Sequence, residues 1–396
     1  MNKNLLIGIA ATLMPAWMQA QSEKPKKTRK GKRLTSSLDI IEQECIEYNK
    51  YLGFVVWLVV CLGGISSALY ADTGKPVVWI YTDMSDKSIP GPNKEGTVND
   101  PDDISAMAGY LLLADCFDTR GIVVASTHRK QHATSGNQAE WAQHYFGEAY
   151  ATDVVNLKKV YPDFPDSISF TQSCIKESAE RFDYKKDYAK VLDHYPTVTS
   201  LLDLLQHEKD TVNVLCWGSL TEPAILVNAC LHSGRAHLLK KIRFIAHWTD
   251  SSLHQGSPEH PEDVANCRED AAACSYMKVM AAQGKIWYYE LGAIGQHGIV
   301  SGSPHGKEYF NQFHKSHLGK IFATGKYALN TVDDSDCATY YVLLGRWGVS
   351  LQDVASDGTN DPEVEKANEK KFFQEAAAIR AELLKRSDVA AGKGSK

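Results

Sequence analysis

Val77-Val78-Trp79-Ile80-Tyr81-Thr82-Asp83 and, a polar loop later, Asn99-Asp100-Pro101-Asp102-Asp103-Ile104 set the fold. The first stretch is a short β-branched and aromatic run ending in a carboxylate, which predicts a buried strand. The second crowds three aspartates in front of Ile104–Leu113, where apolar residues recur at helical spacing. Asp102 or Asp103 then falls at or near a helix N-cap, where a carboxylate accepts backbone N–H bonds and meets the positive end of the dipole. One such carboxylate needs no function. Several held together repel one another, and a fold that keeps them ionised normally places a cation between them. All-oxygen ligation favours a hard ion, Ca²⁺ before Mg²⁺.

Working outward, the same alternation continues. Strands are expected at Gly121–Ala125, Val212–Trp217, Ile242–His247 and Ile286–Leu291. Helices are expected at Gln138–Tyr145, Val198–Gln206, Pro223–Leu231, Asp270–Gln283 and Ala338–Gly345. This predicts an α/β fold, a mostly parallel central sheet with helices on both faces, whose ligands bind beyond the carboxyl ends of the strands. Asp83, Asp100–Asp103, Ser126–His132, Trp217-Gly218 and the stretch after His247 all follow such ends, so they converge on one cleft. Ala149–Tyr195 is polar and aromatic with weak periodicity and reads as a surface elaboration or lid.

Two further acidic clusters precede helices: Asn266-Cys267-Arg268-Glu269-Asp270 and Asp333-Asp334-Ser335-Asp336-Cys337. Each alone is also explained as a turn and a capped helix. Three in one domain point to a site.

The chain of 396 residues divides into a signal and anchor region (1–71), a domain (72–350) and a C-terminal helix near Glu363–Lys385 with a disordered tail (351–396). Met1–Ala20 reads as a secretory signal peptide. Tyr51–Ala71 is apolar over enough length to span a bilayer, and it ends in a signal-like Ser67-Ala68-Leu69-Tyr70-Ala71. With the basic stretch Lys24–Arg33 held inside, the second run delivers the domain outward, as a cleaved signal or a membrane anchor. A net charge of −5 argues against a nucleic-acid-binding surface. Nine cysteines without a C-x-x-C pair fit neither a zinc ribbon nor a disulfide-dense scaffold, and most are expected as buried thiols.

Four blocks, in order, resemble one superfamily. Thr82-Asp83 with Asp100-Pro101-Asp102-Asp103 is similar to the N-terminal aspartate motif of nucleoside hydrolases, in the shortened form of an exported nucleoside-hydrolase-like domain found in proteins described as cellulose-binding. Cys216-Trp217-Gly218-Ser219-Leu220-Thr221-Glu222-Pro223-Ala224 resembles the G-P-L-T-N-x-A turn, Asn266-x-x-x-Asp270-x-x-Ala273 the N-x-x-x-D-P-E-A segment, and Ser335-Asp336-Cys337-Ala338-Thr339 the block with the C-terminal metal aspartate.

The resemblance implies a Ca²⁺ ion held by Asp103, Asp336, the Trp217 carbonyl and a first ligand that is Asp83 or Asp100. Asp102 and Asn266 would hydrogen-bond the sugar. A metal-bound water would attack the anomeric carbon of a nucleoside or other glycoside, with Asp100 as its proton acceptor. Positive charge developing on the sugar would meet carboxylates already in place. Homo-oligomers are common among such proteins.

Departures are specific. Met84–Thr97 interrupts the usual D-x-D-P-G-x-D-D, Thr127-His128 replaces Gly-Asn, and Ser335 stands where some members carry a leaving-group histidine. Candidate replacements are His128, His132, His247, His254 and His297, with His128 taken as the catalytic choice. Trp248, just past a strand end, is a candidate stacking face. A non-catalytic carbohydrate-binding protein and a hydrolase of another glycoside are the alternatives.

Overall fold

The apolar runs at the centre of the sheet, Val77–Tyr81, Val212–Cys216 and Ile242–Ala246, are buried on both sides, as a parallel sheet covered on both faces requires. Strands β1 (Val77–Tyr81), β2 (Asp118–Val124), β3 (Thr171–Gln172), β4 (Val212–Cys216), β5 (Ile242–Ala246) and β6 (Trp287–Glu290) lie in the order β3-β2-β1-β4-β5-β6. Every neighbouring pair is parallel. The structure, a computed structural model, describes residues 74–127, 137–175, 180–257 and 259–393.

Side chains alternate between two cores, as a strand period of two requires. Val78, Ile80, Ile122, Val124, Leu215 and Ile245 face one layer. It holds helices α1 (Asp102–Leu112), α3 (Glu148–Val160), α7 (His317–Thr324), α8 (Ala338–Leu344) and α9 (Pro362–Ala390). The short helix α2 (Gln138–Ala142) leads into α3. Val77, Trp79, Tyr81, Val214, Cys216 and Phe244 face the other layer, with α4 (Pro196–His207), α5 (Thr221–His232) and α6 (Ala271–Ala282).

The strand order reverses between β1 and β4, and a ligand crevice opens beyond their carboxyl ends at such a switch point. Trp217 continues from β4 and donates its backbone N–H to the Tyr81 carbonyl at 2.9 Å, so the loops that follow the two strands start side by side.

Two expectations need correction. The stretch Ala149–Tyr195 is no lid: Tyr150, Val154, Leu157, Phe164, Phe182, Tyr188 and Tyr195 are buried in the cores, and Thr171–Gln172 adds a sheet strand. Division of the chain at residue 350 also fails, because the described residues from Gly74 onward form one compact unit. Helix α9 runs to Ala390 and buries Phe372, Ile379 and Leu383 against the first core, while Arg380 makes a bidentate ion pair with Asp334, both side chains fully buried.

The signal and anchor expectations for residues 1–71 fall outside the described residues. Among the described residues no helix is long and apolar enough to cross a membrane.

Candidate active site

The aspartates of α1 are not spent on capping. Pro101 is the N-cap and makes no side-chain cap bond, which leaves Asp102 and Asp103 in the first turn. Asp103 instead turns back to the end of β1. Its Oδ2 accepts the Thr82 hydroxyl and, at 3.0 Å, the Asp83 backbone N–H. By contrast Asp270 is a true cap: it accepts Ala273 N–H at 3.2 Å, and its second oxygen takes Phe182 N–H at 2.9 Å and Thr221 Oγ1 at 2.6 Å. The ordinary reading of that cluster therefore holds for Asp270 and fails for Asp102 and Asp103.

Ser335–Cys337 forms a short helical turn that presents Asp336 to Asp103. One oxygen from each of Asp102, Asp103 and Asp336 lies within 4.8 Å of the others. Asp103 and Asp336 are 2% exposed and hydrogen-bonded to each other, so they must share a proton. Burial pushes the Asp103 carboxyl up to about 6. Burial, then Asp103 and Asp102, pushes Asp336 well above the carboxylate range. Asp336 Oδ1 has no hydrogen-bond partner and lies 3.8 Å from Nε2 of His247, itself buried. An orphaned buried carboxylate oxygen beside two more carboxylates is a donor set that fits a hard cation.

Both candidates for the first metal ligand line the cleft, in different places. Asp83 leaves β1 beside Asp103 and packs against Gly218, where a Cβ would come within 2.7 Å of Asp83 Cβ. Gly218 is thus the residue that lets the turn after β4 approach the end of β1. Asp100 sits on the far side of Asp102, and its Oδ1 is 2.5 Å from Lys326 Nζ. Burial and the Asp102 charge push the Asp100 carboxyl up to about 7 despite that lysine.

Lys326 is the residue that sequence reasoning missed. Only 5% of its side chain is exposed, and it also meets Asp333 Oδ2 at 2.9 Å and Asp102 Oδ2 at 3.6 Å. Burial opposes the charge of Asp102, yet the Lys326 ammonium, the larger of the opposing causes, outweighs it and holds the carboxyl below the usual value. Asp333 is pushed up to about 6 by burial and by Asp102. Nothing in the local sequence Gly325-Lys326-Tyr327 marks this role.

Asn266 and Trp248 complete the wall. Asn266 Nδ2 donates to the His247 carbonyl at 2.8 Å. Trp248 has φ of 48°, the left-handed region that a bulky residue enters at a cost, and its indole Nε1 has no partner. Trp217 lines the cleft while its own indole donates to Thr339 Oγ1 at 2.7 Å. His247 is held down to about 4 by burial. His128 and His132 lie outside the described residues. The cleft encloses ≈ 760 Å³, with Ala328 and Leu329 of the hairpin β7 (Tyr327–Ala328) and β8 (Thr331–Val332) on its rim.

The fold is nucleoside hydrolase-like, an α/β domain. Residues 96–251 match the model of the nucleoside hydrolase-like domain of cellulose-binding Sde182. The fold is similar to that of a nucleoside hydrolase-related protein from Saccharophagus degradans associated with carbohydrate metabolism, with a TM-score of 0.52 at 15% identity over 81% of this chain and 73% of that one. More distant are an inosine-uridine preferring nucleoside hydrolase from Bacillus anthracis (TM-score 0.39, 16% identity, 69% and 82% covered) and a plant nucleoside hydrolase (TM-score 0.36, 15% identity, 75% and 79% covered). No curated protein matches the chain.

Proposed function

We propose that the domain is a Ca²⁺-dependent hydrolase of N-glycosidic, ribosyl bonds. The observation that carries this reading is the trio Asp102, Asp103 and Asp336, gathered within 4.8 Å beyond the switch point of the sheet. Asp83, Asp103, Asp336 and the Trp217 carbonyl would hold the ion. When bound, Ca²⁺ would polarise sugar hydroxyls and make a coordinated water more acidic. Asp102, kept ionised by Lys326, accepts hydrogen bonds from sugar hydroxyls, and Asn266 presents its amide to the same cleft. Asp100, with its carboxyl near 7, suits a proton acceptor working at neutral pH. Clustered carboxylates then stabilise the oxocarbenium-like charge on the sugar.

The disulfide Cys267–Cys274 supports export to an oxidising compartment, since such bonds are uncommon in the cytosol. A second reading, carbohydrate binding without turnover, is favoured by one feature. His247, neutral at working pH, holds no imidazolium to give an aglycone.

The test is reducing-sugar release from mixed ribonucleosides by wild type, Asp103→Ala and Asp336→Ala. The hydrolase reading expects release by wild type and none by either variant, with thermal stability lowered in calcium but not in chelator. Equal release by all three proteins would sink it; oligosaccharide binding without release would establish the second reading.

A further inference from the structure

We propose that His254, Glu365 and Glu369 form a second metal site, selective for a first-row divalent ion such as Zn²⁺ over Ca²⁺. It is independent of the hydrolase reading and uses none of the same ligands. Glu365 and Glu369 lie four residues apart on α9, so they project from one face of the helix. His254 comes from the loop after β5, and one ligand atom from each of the three lies within 4.8 Å of the others. His254 Nε2 is 2.5 Å from Glu369 Oε1.

Two further observations separate this cluster from a surface ion pair. Glu365, 2% exposed, is held rigid: Oε1 accepts Ala293 N–H at 2.7 Å and Ser251 Oγ at 2.8 Å, and Oε2 accepts Asn360 Nδ2 at 2.8 Å. Outer hydrogen bonds that aim a carboxylate in this way are characteristic of ligating groups. Among the described residues, neither carboxylate makes an ion pair with lysine or arginine; the one basic group paired with them is the His254 imidazole, on Glu369. Two carboxylates facing each other with only a neutralisable imidazole between them favour a dication. The imidazole selects for a borderline ion over an all-oxygen one.

His297 stacks on His254 with ring centroids 3.6 Å apart and planes 3° from parallel. An ion in the plane of His254 is therefore off the plane of His297, which covers the ligand and is not a fourth one. That leaves a coordination position for water or a small anion. The ion would tie α9 to the loop that carries Trp248, whose ring lies 6.2 Å from that of His297.

The experiment is calorimetric titration of the chelator-stripped full chain, resaturated with Ca²⁺, using Zn²⁺, with Co²⁺ absorption as the spectroscopic readout. The wild type is expected to take up one equivalent of Zn²⁺ and to show Co²⁺ ligand-field bands. His254→Gln and Glu369→Gln should each lose the bands and weaken Zn²⁺ at least tenfold, while Asp336→Asn keeps both. The side chains of His254 and Glu369 are 22% and 13% exposed, so these variants should fold, which an unchanged circular-dichroism spectrum and a cooperative thermal transition verify. Absence of stoichiometric Zn²⁺ binding to wild type, or equal binding by both glutamine variants, would overturn the proposal.

Discussion

Calcium should stabilise this domain more as pH rises, and the magnitude follows from the carboxylates that share a proton. Asp103 titrates at about 6 in the folded protein and at about 3.8 when unfolded, and Asp336 is raised further. Between those values the native state binds more protons than the unfolded one, so without calcium stability falls as pH rises from about 4 through 6. A shift of about 2 units on Asp103 alone corresponds to about 3 kcal/mol lost across that window. Bound Ca²⁺ would replace the shared proton and remove the loss. Asp100, Asp333 and His247 also titrate nearby, His247 with the opposite sign, but their contributions largely cancel in the difference between calcium and chelator at a fixed pH. The assay is thermal unfolding at pH 5.0 and 7.5, each in excess Ca²⁺ and excess chelator. About half of the Asp103 loss, roughly 1.4 kcal/mol, falls above pH 5.0, so the calcium-induced rise in Tm should be greater at pH 7.5 by about 3 °C, at about 2 °C per kcal/mol for a domain of this size. An equal rise at both values, or a greater rise at pH 5.0, would refute the shared-proton argument.

Three other perturbations test separate links. Arg380→Leu leaves Asp334 charged and buried without its partner, which should cost about 3–5 kcal/mol in urea unfolding and weaken calcium through the adjoining Asp336 turn. Lys326→Met removes the cation among Asp100, Asp102 and Asp333; its Tm should fall at pH 7.5 and recover toward wild type near pH 5, where Asp100 and Asp333 are protonated. An unchanged Tm at pH 7.5 would contradict the role given to that lysine. Gly218→Ala places a methyl group 2.7 Å from Asp83 Cβ, so calcium affinity should drop about tenfold, with a stability loss of about 1–3 kcal/mol. Wild-type affinity there would remove Asp83 from the ion site.

What the sequence revealed depended on how local each cause was. β1, β4 and β5 were legible because a strand buried on both faces must be largely apolar, and the placement of Asp83, Asp103 and Asp336 at the cleft because each follows a strand or opens a helix. β3 was not, since two polar residues carry no period. The aromatic residues of 149–195 enter the cores from irregular chain, where spacing says nothing about facing. Lys326 and Arg380 were invisible for a different reason. Each neutralises carboxylates remote in sequence, and a lone basic residue does not announce that it is buried. The Cys267–Cys274 bond likewise depends on a loop folding back onto the start of α6. Capping logic, sound for Asp270, misled at Asp102 and Asp103, where the carboxylates face the cleft instead.

The proposed activity requires that Asp103 and Asp336, gathered beside Asp83, hold a metal. Titration of chelator-stripped protein with Ca²⁺, beside Asp336→Asn, answers this most directly. One equivalent bound by the wild type with release of protons, and none by the variant, is the predicted result. No binding by the wild type, or the same isotherm from both proteins, would contradict it.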